Sequence, residues 1–482
     1  MRAAEEAAFG RGVQVEALMD QAGAGIARAV REFFPSPQTC LVFAGKGHNG
    51  GDALVAAEHL QRDGWKIDPQ LPFGESDSSE LTRKKLQALR SGTPKESSVG
   101  AHRIVLDGLL GLGAKSFLRE PIRGAAREIN RLRREENAFV FAVDLPTGLD
   151  GTTGEADPED SIKADFTVTI GFAKHGLLVD SALDLVGRIE VVPLPELAPD
   201  PAANDLVATA NSLRSLLPRR HFSAYKNQFG RIGIVAGSKG FVGAALMTAT
   251  GALRAGAGLV EVFVPEEIYE IVASAAPVEA MVKPVRSYKN LLEEKIDVWA
   301  VGPGLGTSRA GEILNLIERA DQPMVVDADG LNSLAGKVEI LRRCRGPRLL
   351  TPHPGEMNRL VEVGKMSRAG VVRNFCEHFP VALLFKGSRT IVGERGRPLS
   401  YNPTGNPGMA SGGMGDVLTG VCAGLVGQKL AMFDAARIGA WACGRAAEIA
   451  IFNFGASEES LLASDVLAHL GAAFDQIRDP LV

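Results

Sequence analysis

The sequence predicts an α/β protein of two domains, on three observations. Short Val/Ile/Leu-rich runs alternate with longer amphipathic ones along most of the chain, the pattern of parallel strands covered by helices on both faces. At 482 residues the chain exceeds one domain of ordinary size. The alternation breaks once, at "VVPLPELAPDPAANDLVATANS" (191–212), where Pro193, Pro195, Pro199 and Pro201 cluster as they do in connectors. A boundary is therefore expected near residue 200.

In chain order, "MRAAEEAAFGRGVQVEALMDQAG" reads as an amphipathic helical start and lacks the apolar core of a secretory leader. The runs "QTCLVFAG", "RIVLDGLLG", "FVFAVDLPTG" and "DFTVTIGF" read as strands ending in turns, with "DALVAAEHLQRDG" and "GAAREINRLRREE" as helices between them. After the connector come strands "RIGIVAGS", "GLVEVFVP", "DVWAVGPG", "MVVDADG", "RLLTPHPGE" and "ALLFKGS". In such sheets ligands gather in loops at the carboxyl ends of strands, and nearly every unusual motif here occupies that position.

Composition narrows the function classes. Hydrophobic residues are 45% and charged residues 23%, an ordinary balance for a chain that buries large cores. The 55 glycines exceed the average of about 7% and fall in loops between apolar runs. Net charge is -4, and the Arg-rich "NRLRREEN" mixes in acids as solvated helix faces do, so no nucleic-acid partner is expected. Five scattered cysteines form no CxxC, which points to a reducing, cytoplasmic setting. No apolar run reaches the ~18 residues of a membrane span.

The second half holds the sharpest chemical motif, "NPGMASGGMGDVLTG". Its glycines leave backbone N–H groups uncovered at the start of an apolar helix, a place that favours anions. Asp416, at the foot of that turn, admits two readings: a base that takes a proton from an attacking hydroxyl, or an N-cap worth about 1 kcal/mol. Five more loops follow strands upstream: "AGSKGFVGAA", "GPGLG", "DADGLN", "TPHPGE" and "KGSRT".

In that order, these motifs resemble the ribokinase-like domain of the NAD(P)H-hydrate dehydratases, over about residues 204–475. The resemblance implies a ribokinase-like α/β domain, placed at 204–482. It makes Asp416 the catalytic base and Gly415 part of an anion hole. Lys386, Gly387, Ser388, Arg389 and Thr390 are implied to hold the nucleotide. Ala244, Ala245, Gly306 and His353 are implied to border the hydrated nicotinamide. Met414 stands where the family usually has Thr or Ser.

In the first half, "AGKGHNGGDALVAAEHL" follows a strand and opens a helix at Asp52, without the spacing of GxGxxG. Two further loops, "LDGLLGLGAKSFLREP" and "AVDLPTGLDGTTGE", put Asp107, Asp144 and Thr147 at strand ends, where an acid either caps a helix or binds a ligand. The trio resembles the NAD(P)H-hydrate epimerase domain over residues 1–198, implying a Rossmann-like three-layer α/β/α sandwich. It implies potassium at Asn49, Asp107 and Thr147, and hydrated cofactor at His48, Asn49, Gly50, Gly51 and Asp52. It also implies cofactor contacts at Gly111, Leu112, Gly113, Ala114, Lys115, Ser116 and Phe117, with Asp144 as the acid/base. Departures from the family pattern are His48 for Asn, Ala53 for Gly, Leu112 for Thr, Thr147 for Ser and Gln21 for Asn.

The order of the two halves resembles the bacterial bifunctional hydrate-repair enzymes. That implies NADHX and NADPHX as substrates, ADP as co-substrate with magnesium, and a homo-oligomer. A rival reading makes the second half a vitamin or sugar kinase and the first a non-catalytic binding or scaffolding module. The "TPHPGE" motif and the attached first half count against it.

Overall fold

The computed structural model describes residues 1–93, 95, 97–113, 117–199, 205–217 and 219–479. The chain divides into two compact units, Met1–Ala203 and Asn204–Val482.

The first unit is built on strands β1 (Thr39–Ala44), β2 (Lys66–Gln70), β3 (Arg103–Gly108), β4 (Phe139–Val143), β5 (Phe166–Ile170) and β6 (Arg188–Val192). They form one parallel sheet in the order β2-β1-β3-β4-β5-β6. The central strands β3 to β5 are almost wholly buried, as strands covered on both faces must be. The polar β2 and β6 lack that continuous apolar signal. The chain leaves β1 toward β2 on one side and returns as β3 on the other, so a crevice opens at the carboxyl ends of β1 and β3. The helix after β1 spans His48–Arg62 and so starts four residues before the Asp52 expected from sequence. Gly50 and Gly51 allow this, since they are buried in its first turn against the backbone of Gly45 and the side chain of Met19.

The second unit carries β7 (Leu206–Val207), β8 (Arg231–Val235), β9 (Leu259–Pro265), β10 (Ala280–Val285), β11 (Val298–Val301), β12 (Met324–Val326), β13 (Arg348–Leu350), β14 (Ala382–Phe385), β15 (Ile391–Gly393) and β16 (Ser400–Tyr401). Their order is β10-β9-β8-β11-β12-β13-β14-β15-β16-β7. Pairing is parallel from β10 to β14, but β15 pairs antiparallel with both β14 and β16. This mixed edge departs from the all-parallel expectation, because two- and three-residue strands are too short to show a period. Two helices cover the sheet where the glycine-rich turn ends. Met414–Gly427 is buried from Val417 onward, and Met432–Phe454 is buried over most of its length. The first packs closely on Val242–Arg254, and a Cβ at Gly420 would collide with the backbone of Thr248.

Candidate active sites

In the first unit a cavity of about 440 Å³ lies over the crevice at the ends of β1, β3 and β4. Its polar lining includes Glu5, His48, Asn49, Asp52 and Asp144, with Gly111 and Leu112 from the loop after β3. Asp144 follows β4 in a left-handed conformation, φ 67°. That backbone costs energy for a residue with a Cβ and is characteristic of functional positions. Its Oδ1 accepts from the Ile170 amide at 3.2 Å and from the ammonium of Lys174. Lys174 is itself buried and donates also to Thr169 Oγ1 at 3.0 Å and the Ile170 carbonyl at 2.8 Å. Asp52 is pushed well above the usual carboxylate range, chiefly by burial and then by the charges of Asp144 and Glu5, with Lys174 opposing.

Next to Asn49, which lines the cavity, lies a hydrogen-bonded cluster around Asp107. Asp107 is fully buried; its Oδ2 accepts from the Thr147 amide at 2.8 Å, and its Oδ1 from Thr147 Oγ1 at 2.8 Å and the Leu109 amide at 3.2 Å. Thr147 Oγ1 accepts in turn from the Leu110 amide at 3.1 Å, and Asn49 Nδ2 donates to the Leu110 carbonyl at 3.0 Å. Burial pushes Asp107 up to about 6 despite the hydrogen bonds from Thr147 and Leu109. Among the described residues no cationic side chain pairs with it. A buried carboxylate whose partners are all neutral N–H and O–H donors is one that a hard cation could compensate.

Not every expected residue reaches this cavity. Gly50 and Gly51 are buried in helix packing, while Gly113 and Phe117 are exposed, Phe117 at 75%. Ala114, Lys115 and Ser116 lie outside the described residues.

In the second unit the strand-end loops converge on one charged cluster. The helix Met414–Gly427 is capped by Gly413 in the left-handed region, φ 90°, and no side chain caps it. Asp416 is therefore the third residue of the helix, which removes the N-cap reading. Burial, then the charge of Asp327, pushes it up to about 6, with Lys386 opposing. Lys386 follows β14 and its Nζ lies 2.7 Å from Asp327 Oδ1 and 3.7 Å from Glu356 Oε2. Burial would lower that ammonium's affinity for its proton, but the charges of Asp327, Glu356 and Asp416 outweigh it and raise it. A Cβ added at Gly415 would sit 3.3 Å from Asp327 Oδ2 and 3.4 Å from Lys386 Nζ. The first turn of the helix thus rests on the ion pair.

His353 caps the helix Pro354–Leu360, its Nδ1 accepting from the amides of Gly355 at 3.0 Å and Glu356 at 3.3 Å. Its side chain remains half exposed. The Gly306 amide donates to Asp329 Oδ2 at 2.8 Å. Ala244 is partly exposed, whereas Ala245 is fully buried in the core. Gly387 and Ser388 are exposed after β14, Thr390 is partly so, and Arg389 is buried.

Lys174, Glu5, Asp327, Glu356 and Thr419 escaped the sequence reading. Lys174 stands in "GFAKHG", four residues past β5, where a lysine reads as solvated. Asp327 and Glu356 lie inside recognised motifs but carry no mark that sets them apart from a turn acid.

Residues 15–176 match the family described as YjeF-related protein N-terminus, and residues 232–469 match that described as NAD(P)H-hydrate dehydratase. The bifunctional NAD(P)H-hydrate repair enzyme of Moorella thermoacetica is 36% identical over 489 residues, which span 94% of this chain and 91% of that protein. The Escherichia coli enzyme of the same description is 34% identical over 486 residues, 97% of this chain and 91% of its own length. Among solved structures, the ADP/ATP-dependent NAD(P)H-hydrate dehydratase from Bacillus subtilis, co-crystallized with ATP and Mg2+, superposes with TM-score 0.51 at 27% identity. It covers 57% of this chain and 100% of its own.

Proposed function

The chain belongs to the bifunctional NAD(P)H-hydrate repair enzymes, with an epimerase half and a ribokinase-like dehydratase half, and on that premise we propose which residues carry each reaction. The cluster of Asp416, Lys386 and the bare helix N-terminus is the observation that supports the dehydratase assignment most strongly. Asp416 takes the proton of the ring hydroxyl as that oxygen attacks the β-phosphorus of ADP. The P–O bond to AMP breaks, and AMP leaves with the electron pair. The phosphorylated ring then expels inorganic phosphate with loss of a proton from the neighbouring carbon, restoring the double bond of NADH or NADPH. Gly415 and the amides of the helix's first turn stabilise charge on the transferring group. Lys386 and the loop to Thr390 face the nucleotide phosphates. Gly306, Ala244 and the exposed edge of His353 border the nicotinamide.

Magnesium is expected to arrive with the nucleotide phosphates, because the described residues hold no cluster of three or more acid, His or Cys side chains fit to cage a metal.

In the first unit, inverting a carbon that bears a hydroxyl and a ring nitrogen requires one of those bonds to break and re-form on the other face. Asp144, aligned by Lys174, takes the hydroxyl proton as the carbon–nitrogen bond opens to a carbonyl, and returns it when the nitrogen re-adds to the other face. Asp52, whose carboxyl burial pushes well above its usual range, is suited to donate one. Potassium, where bound, would sit at Asn49, Asp107 and Thr147 and supply fixed positive charge beside the cavity. The replacement of Ser by Thr147 keeps the oxygen that such a site needs. The protein works as a homo-oligomer in the cytoplasm on this reading.

The test is recovery of the reduced-nicotinamide absorbance from (S)-NADHX. ADP should support recovery by the wild type and not by Asp416→Asn. Recovery with ATP alone would reassign the co-substrate. No recovery with either nucleotide, alongside phosphorylation of a vitamin or sugar, would replace this reading with the kinase one.

A further inference from the structure

Three parts of the phosphoryl site arrive from separate stretches of chain: Lys386 after β14, Asp416 on the helix Met414–Gly427, and Asp327 after β12. Asp327 is the part that touches the other two elements. It is 1% exposed. Its Oδ1 accepts from Lys386 Nζ at 2.7 Å, and its Oδ2 accepts from Thr419 Oγ1 at 2.9 Å, one turn beyond Asp416 on the same helix face. Its own backbone is pinned, with the amide donating to the Val301 carbonyl at 3.0 Å and the carbonyl accepting from the Gly330 amide at 2.9 Å. A carboxylate fixed at both backbone and side chain has no freedom to serve as a mobile ligand. What its contacts do is hold its two neighbours in place.

We propose that Asp327 is a positioning residue of the dehydratase reaction, clamping the Lys386 ammonium against the N-terminal turn of the helix that presents Asp416. The inference rests on the reading of Asp416 as base and Lys386 as phosphate ligand. Without the clamp, Lys386 would be free to swing toward Glu356 or pair directly with Asp416, neutralising the base. The charged groups that act on Asp416 are Asp327 from the strand end and Lys386 from the β14 loop, with Glu356 beyond Lys386 and Cys422, deeper on the helix, facing Asp327 and Lys386. Of these, Asp327 is the like charge that, after burial, raises Asp416. The clamp therefore has an electrostatic signature distinct from mere packing: its removal must lower the pH at which the base ionises.

The experiment uses the full chain carrying Asp327→Asn or Thr419→Val, with rates of NADH recovery from (S)-NADHX and ADP measured from pH 5 to 9. Asp327→Asn keeps the volume and removes the charge. Its kcat should fall at least 30-fold, with KM for ADP rising less than kcat falls, and its acid limb should move to lower pH. Thr419→Val leaves the charge but loosens the helix from it, so kcat should fall several-fold with the limb in place. A folded Asp327→Asn protein with wild-type kcat and an unmoved limb overturns the proposal. A fall in kcat and thermal midpoint with the limb unmoved also overturns it, in favour of a purely structural role. Should Asp327→Asn fail to fold, Thr419→Val decides: an unchanged kcat means that no clamp operates. Failure of the underlying reading would show differently, as a wild-type protein that restores no NADH.

Discussion

Asp416 and Lys174 illustrate opposite ways of using a buried charge. Asp416 lies in a cluster where burial and Asp327 hold it at about 6, above an ordinary carboxylate near 3.9. As a base it must be ionised, so dehydratase kcat/KM should fall as pH drops through about 6 and stay level above it. The same shift bears on stability. Because the folded state binds the proton more tightly than the unfolded chain, ionised Asp416 destabilises the fold at all pH values above about 6. That cost fades between about 6 and 4 and is gone below. Asp416→Asn should therefore stabilise the fold at pH 7.5 by on the order of 1–2 kcal/mol after solvent screening, and so raise the melting temperature, while abolishing NADH recovery. The two melting curves should converge near pH 4; a variant less stable than wild type at pH 7.5 would contradict this account. Lys174, by contrast, compensates a buried acid. Lys174→Met leaves Asp144 without its partner, and breaking a buried pair typically costs about 3–5 kcal/mol. Epimerase turnover should drop about 10²-fold or more, while NADH recovery from pure (S)-NADHX stays at the wild-type rate.

Elements, rather than residues, decide whether these side chains meet, and the glycine-rich turn before Asp416 is the element most open to test. Gly413 takes φ 90° and a Cβ there would run into Met247, whereas Gly412 has open space around its missing Cβ and no unusual φ. Gly413→Ala should cost about 1–2 kcal/mol in backbone conformation alone and lower dehydratase kcat by tilting the first turn. Gly412→Ala should be close to neutral in both melting temperature and rate, and equal effects from the two substitutions would show that the turn's conformation is not what matters. This turn was legible in the sequence because glycine spacing reports backbone conformation directly. The central strands were legible for a similar reason, since burial on both faces leaves runs dominated by Val, Ile, Leu and Phe. What stayed hidden has a physical cause too. The strands β2, β10, β15 and β16 are short or polar, so their pairing is set by neighbours rather than by their own residues. The start of the helix at His48 depended on Gly50 and Gly51 packing against Met19 and Gly45, contacts made across the fold. Lys174 and Asp327 became candidates only once folding put them against Asp144 and Lys386.

At the scale of the whole chain, two sites that share one substrate need not share any residue, and this independence can be measured. The first unit keeps Asp144, Lys174 and buried Asp107 at the ends of its own sheet; the second keeps Asp416, Lys386 and Asp327 at the ends of its own. Either reaction should then fail alone. On an equal mixture of R and S hydrates with ADP, wild type should restore all the NADH. Asp144→Asn should restore the S half promptly and then stall, the difference being read early, before unaided interconversion blurs it. Replacing potassium by tetramethylammonium makes the same cut without mutation. If the proposed site at Asp107 holds potassium, a cation too large for it would leave that carboxylate uncompensated, so recovery from the R hydrate should slow while recovery from pure (S)-NADHX holds. A loss of both would place the ion's effect in the second unit, where the nucleotide's own phosphates are the more natural ligand. A loss of neither would mean that Thr147 and Asp107, already joined by two hydrogen bonds of 2.8 Å, satisfy each other without a cation.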